Sequence, residues 1–181
     1  MNRERVSPDD IRAAIATLQA ATGSARSGLP EEVFLFVSSL TPMINVDLLI
    51  RDEAGRTLLT WRHDQFYGPG WHIPGGIIRF KEACSDRIAA VADRELGARV
   101  SAEPKPLCLH EITNQNRDIR GHFISLLYAC RLESPLDEHR RFDPQAPRNG
   151  DWAWHAGSPD NLIRVHEIYR PWLDAAGSGN A

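Results

Sequence analysis

The stretch from Gly68 to Val100, GPGWHIPGGIIRFKEACSDRIAAVADRELGARV, constrains the fold more tightly than any other part of the chain. It reads as a short strand (Trp71 to Ile73), a Pro74-Gly75-Gly76 turn, an irregular loop, and a helix over Cys84 to Leu96 closed by Gly97. On a helical wheel, Cys84, Ile88, Val91 and Ala92 form one apolar stripe, while Ser85, Asp86, Arg87 and Asp93 fall outside it. Glu95 lands in the middle of that stripe, seven residues beyond Ile88 and four beyond Val91. A partly desolvated carboxylate is costly unless a cation neutralises it. An arginine or a metal is therefore expected to meet Glu95.

The spacing adds a second constraint. Five residues separate Gly76 from Glu82, twelve more lead to Glu95, and Leu96-Gly97 follows. This resembles the Nudix box, G-x5-E-x7-R-E-U-x-E-E-x-G-U with U a bulky apolar residue. In that family a loop-helix-loop holds divalent cations against a nucleoside diphosphate linked to another moiety. Gly76, Glu82, Glu95 and Gly97 match; Ala90 and Val91 stand in the Arg-Glu positions, Ala92 in the U position, Arg94 replaces the first glutamate of the pair, and Ala98 the final bulky residue. Glu95 alone remains of the metal-binding carboxylates, so the ordinary metal cluster is incomplete.

The thinned pattern resembles the GDP-mannose mannosyl hydrolase branch, which also lacks the paired glutamates and keeps the carboxylate of the final E-L-G. That branch uses one magnesium ion and cleaves the sugar C–O bond instead of the pyrophosphate P–O bond. Leu40-Thr41-Pro42, Asp47, Gly55, Leu58-Leu59, Arg62 and Trp71 through Gly76 fit its pattern, with similarity over roughly residues 40 to 175. By that resemblance, Asp47 contacts substrate, Arg62 approaches the diphosphate leaving group, and the Gly75 carbonyl joins Glu95 as a magnesium ligand. His122 matches a strand histidine and becomes a sugar or leaving-group contact. A guanidinium suits the Arg62 role because it donates parallel hydrogen bonds to phosphate oxygens and stays charged.

Each assignment has a plainer rival. Asp47 beside Asn45 would otherwise be a satisfied polar pair within a sheet. Arg62 would be a solvated strand end, and His122 a hydrogen-bonded residue on an apolar face. Glu82, near the helix start, reads as structural support. Arg79 in the loop is a candidate phosphate contact; the branch carries its arginine two positions earlier, where this chain has Ile77. The branch also has a glutamine that binds magnesium and a histidine that acts as general base. With a gap allowed, Gln145 becomes the metal ligand, but no histidine follows it. Asp151, His139 and His122 are the candidates for the base.

At 181 residues the chain is long enough for one domain with a sizeable core. Its net charge of −3 and lack of a basic run argue against a nucleic-acid polymer as partner. Cys84, Cys108 and Cys130 are widely spaced and read as buried free thiols of a reducing compartment. MNRERVSPDD has no apolar signal core and no stretch reaches membrane-spanning length, so a cytoplasmic location is expected. Ser7-Pro8-Asp9-Asp10 starts a helix with a stripe of Ile11, Ile15 and Leu18, and Pro30-Glu31-Glu32 opens a second into Leu40. These helices read as a buttress, with a homodimer contact as the alternative. The GSGN near the C-terminus reads as a frayed end.

Strands are expected over Met43 to Ile50, Arg56 to Arg62, Arg99 to Glu111, Gly121 to Leu132 and Asp151 to Trp154, with a polar loop over 112–121. The fold expected is α/β: a Nudix-type α/β/α sandwich with a mixed central sheet, residues 41–176, and an N-terminal helical extension, residues 1–40, packed on it. The function expected is magnesium-assisted hydrolysis of a nucleotide sugar, GDP-mannose or a relative, with manganese as an alternative ion. The catalytic set is Arg62, Glu95 and Asp151; substrate binding adds Asp47, Arg79 and His122; the metal ligands are Gly75, Glu95 and Gln145. The rivals are ordinary pyrophosphate cleavage and a non-catalytic nucleotide-sugar binding protein.

Overall fold

Strand β1 (Met43–Ile50) is the axis of the fold, because its alternation divides two cores. The computed structural model describes residues 6–175, so the first five residues and the 177–180 segment read as a frayed end lie outside the description. Val46, Leu48 and Ile50 face one cluster, shared with Leu58, Ile88, Val91, Ala92 and Leu96. Leu49, on the opposite face, joins Leu59, Trp61, Trp71, Ile73, Leu127, Tyr169 and Leu173.

β1 runs parallel to β7 (His122–Leu132) over its full length and antiparallel to β4 (Gly75–Ile77). Two short strands, β5 (Val100–Ala102) and β6 (Cys108–Thr113), pair antiparallel with β7 and complete a mixed five-stranded sheet. A second, antiparallel sheet is ordered β3-β2-β8, from Gly70–His72, Thr57–Arg62 and Trp152–His155. The architecture is thus α/β with a mixed central sheet, as the sequence led one to expect.

Helix α3 (Cys84–Leu96) covers the Val46 face. Burying its Ile88, Val91 and Leu96 stabilises the fold by about 1.5–3 kcal/mol per side chain, and Val91→Asp would break that contact. Gly97 ends the helix at φ 62°, its N–H on the Asp93 carbonyl at 2.9 Å, a left-handed cap that a Cβ would strain. Arg87 departs from the wheel: it is buried, held by both oxygens of Glu82 at 2.7 and 2.8 Å. The pairing lets a charged residue enter the core side of the helix.

Other departures have local causes. The single strand expected from Arg99 to Glu111 is two strands, because Pro104 and Pro106 cannot donate to a ladder. Gly75 and Gly76, expected within the turn, and Ile77, expected in the loop after it, pair with β1 as a strand. The last strand begins one residue late, at Trp152.

The N-terminal extension has two parts. α1 (Pro8–Thr22) starts with a capping box between Ser7 and Asp10 but buries none of its residues, and Ile11 and Ile15 are about half exposed. α2 (Glu31–Val37) instead brings Phe34 and Val37 to the wall of the main cavity. A 3₁₀ turn (Arg164–Tyr169) and α4 (Arg170–Asp174) close the Trp71 core. Among the described residues no helix is long and apolar enough to cross a membrane.

Candidate functional site

A cavity of about 1340 Å³ opens where β4, the C-terminal end of α3, the end of β2 and the loop before β8 converge. Asp47, Arg62, Gly75, Arg79, Glu95 and Asp151 all line it. The other two residues expected in the site do not. Gln145 is exposed on the loop before β8, its backbone N–H on Asp143 Oδ1, so it is not brought to Glu95. His122, the first residue of β7, pairs with the Glu111 carboxylate at 3.0 Å outside the cavity. The gap invoked for Gln145 and the strand match invoked for His122 carry no information on where a loop or a strand end points.

Glu95 anchors the polar end. Its position within the helix stripe leaves the side chain only 20% exposed, and desolvation raises its carboxyl to about 7; Arg94, the Gly75 backbone amide and Arg62 act against that rise. Arg94 donates to Oε1 at 3.2 Å, so an arginine does meet this carboxylate. Oε2 is buried with no partner among the described residues. A lone, desolvated carboxylate oxygen beside a backbone strand suits a hard cation. No group of three or more His, Cys, Asp or Glu able to hold a metal occurs among the described residues. Glu95 is the residue that could hold an ion there.

Gly75 is required by close approach. A Cβ there would lie 2.1 Å from Asp47 Oδ1 and 2.9 Å from the Val46 carbonyl oxygen. Asp47 thus packs against Gly75, whose backbone amide also acts on Glu95. Asp47 is itself buried, and Asn45, Ser125 and Tyr169 all donate to its Oδ2. Burial lifts its carboxyl to about 6 in spite of those donors. This is the polar pair foreseen as the plainer alternative, enlarged to four residues and facing the cavity. Ser125 and Tyr169 were not foreseen, because they lie 78 and 122 positions away in the chain.

Arg62 leaves β2 at the cavity, bound to Asp64 at 2.6 Å and stacked 4.6 Å from the Tyr67 ring centroid. Arg79 is tied down from behind by the Arg26 carbonyl at 3.4 Å. Asp151 is almost fully buried; its oxygens accept from the Arg148 backbone at 2.9 Å and guanidinium at 3.1 Å. Both oxygens of Asp151 are thus engaged by Arg148. His139 lines the cavity, on the loop it shares with Arg140.

Two further histidines, His72 and His166, line the cavity. His72 bridges Thr60 and the Ile73 carbonyl at 2.9 Å each, and burial pulls it down to about 3. The Ile73 N–H donates to His166 Nδ1 at 3.0 Å, which leaves the His166 proton on Nε2; burial keeps that ring neutral too. Neither could be read as part of the site from spacing alone.

No protein-family model matches the chain. A curated relative, the low-salt glycan biosynthesis protein Agl8 of Haloferax volcanii, is 29% identical over 121 residues, 65% of this chain and 74% of the relative. Among solved structures, a MutT Nudix hydrolase from Burkholderia pseudomallei superposes with a TM-score of 0.54 at 20% identity, covering 72% of this chain and 97% of its own. A UDP-X diphosphatase superposes with a TM-score of 0.56 at 16% identity, covering 94% of this chain and 80% of its own. The fold is that of the Nudix hydrolases.

Proposed function

We propose that this protein hydrolyses a nucleotide sugar, GDP-mannose or a relative, between the anomeric carbon and the diphosphate. The observation that carries the reading is Glu95: one buried carboxylate with a partnerless oxygen, flanked by Gly75 and two arginines, where a carboxylate cluster would otherwise stand. A single magnesium or manganese ion, held by Glu95 and the Gly75 carbonyl, would supply charge neutralisation to a departing diphosphate. Arg62 is positioned to share that charge, and Arg79 to contact a phosphate.

Asp47 is the group to which we assign the proton of the attacking water. It lines the cavity, carries a carboxyl raised to about 6, and keeps Oδ1 clear of the three donors on Oδ2. A carboxylate in that range suits general base catalysis near neutrality. Water forms the new bond to the anomeric carbon, the C–O bond to the diphosphate breaks, and the electron pair leaves with the nucleoside diphosphate. The glycan role in the name of the Haloferax relative supports a sugar-bearing substrate.

Incubation of the protein with magnesium and a panel of nucleotide sugars, with products separated by ion-exchange chromatography, tests the reading. Nucleoside diphosphate plus free sugar is expected, and Asp47→Asn and Glu95→Gln should each abolish most turnover. Nucleoside monophosphate plus sugar phosphate would overturn it in favour of ordinary pyrophosphate cleavage. That Glu95 alone remains of the box's metal-binding carboxylates favours one other reading, a nucleotide-sugar binding protein. Tight binding of the panel without products, retained by Glu95→Gln in the absence of metal, would establish that instead.

A further inference from the structure

We propose that the cavity wall built by α2, the segment just before it and Arg120 of the 114–121 loop is a nucleobase subsite, in which Arg120 reads the acceptor edge of a guanine-type purine. The inference rests on the nucleotide substrate proposed above and adds which part of it is recognised, and by what.

The N-terminal segment is fastened to the cavity rim at three points. Arg79 Nη1 donates to the Arg26 carbonyl at 3.4 Å, Gln65 Nε2 to Glu31 Oε1 at 3.2 Å, and the Arg120 backbone N–H to Ser38 Oγ at 3.0 Å. From that segment Leu29, Phe34 and Val37 reach the cavity. The extension therefore forms part of the enclosure.

Arg120 is the unusual residue of this wall. Its φ of 51° lies in the left-handed region, which a long side chain adopts only when its surroundings impose it. Its guanidinium lines the cavity among three aromatic rings, 4.5 Å from the centroid of Phe66, 5.4 Å from Phe34 and 6.0 Å from Tyr67. Its Nε is buried without a partner among the described residues. A charged donor held in a strained backbone, with an N–H left over, is poised for an acceptor that arrives with a ligand. Rings and a guanidinium plane offer stacking to any base. The guanidinium edge adds discrimination, because guanine presents two adjacent acceptors whereas adenine replaces one with a donor.

The subsite is also at the right address. Tyr67 carries Arg62 on its ring at 4.6 Å and lies 6.0 Å from Arg120, so the guanidinium assigned to the diphosphate and the one assigned to the base meet at one aromatic side chain.

Calorimetric titration of the full chain with GMP, AMP and inorganic pyrophosphate tests this, using wild type, Arg120→Ala, Arg120→Lys and Phe34→Leu. GMP should bind about tenfold or more tighter than AMP. Arg120→Ala and Arg120→Lys should both erase that preference and leave pyrophosphate affinity unchanged. Phe34→Leu, which stays apolar but removes the π face, should weaken both nucleotides and keep their ratio. Equal binding of GMP and AMP by wild type would overturn the subsite, as would a parallel loss of GMP and pyrophosphate in Arg120→Lys. The outcome is separable from that of the hydrolysis reading. Arg120-dependent GMP binding in a protein that cleaves no nucleotide sugar sustains the subsite and refutes the enzyme. Turnover with no purine preference does the reverse.

Discussion

Replacing Glu95 by glutamine should make the metal-free protein more stable at alkaline pH. Burial raises this carboxyl to about 7 from an ordinary 4.5. Between those values the folded state binds more protons than the unfolded state, so stability falls as pH rises. Below 4.5 the group is neutral in both states and contributes nothing; above 7 the full cost of holding it ionised is present. The difference corresponds to about 3 kcal/mol. The side chain is only 20% exposed, so solvent screening leaves most of that cost in place. Glutamine keeps the shape and an acceptor for Arg94 but carries no charge to desolvate. In EDTA at pH 8.5, Glu95→Gln should melt roughly 6–12 °C above wild type, and the two curves should converge near pH 4.5. Magnesium added at pH 8.5 should raise the wild-type melting temperature and leave the variant unmoved. Scanning calorimetry across pH measures all three. Equal stability of the two proteins at pH 8.5, or a gap that does not change with pH, would refute the claim that Glu95 is a desolvated carboxylate awaiting a cation.

Three other expectations follow from the same geometry. Gly75→Ala places a Cβ 2.1 Å from Asp47 Oδ1 and should cost about 3 kcal/mol in urea denaturation; a variant as stable as wild type would show that β4 does not pack this closely on β1. Tyr169→Phe removes one of the three donors to the buried Asp47 carboxylate and should cost about 1–3 kcal/mol at pH 8. That loss should shrink below pH 6, where Asp47 is protonated, and a pH-independent loss would contradict it. Arg87→Met leaves Glu82 facing an apolar partner and should cost about 3 kcal/mol, while Arg87→Met with Glu82→Leu should recover part of it. Additive losses in a double-mutant cycle would argue that the pair is not coupled.

How much of this was legible in the chain follows from what each residue depends on. Glu95, Gly75 and Arg62 could be placed because a helix period, a Gly-Gly step and a strand end are local, and local order dictated where they point. Asp47 was legible as a polar residue projecting from the middle of a strand, but its donors come from β7 and from the C-terminal 3₁₀ turn, and no spacing connects them. Asp151 and Gln145 lie in or beside a segment of irregular backbone whose course is set by Arg148, Asp143 and Asn149. A motif alignment has no grip on such a segment. The wheel excluded Arg87 because it scored charge, not pairing. The role of α2 as a cavity wall was hidden for a related reason: Phe34 gains its meaning only from Arg120, which the 114–121 loop carries back to it.

The central claim is that the bond broken lies between sugar and phosphate. Hydrolysis of the preferred nucleotide sugar in ¹⁸O-labelled water, followed by ³¹P NMR of the released nucleotide, tests it most directly. The account predicts a nucleoside diphosphate whose phosphate resonances carry no isotope shift. Label in a phosphate oxygen would contradict it and return the site to attack at phosphorus.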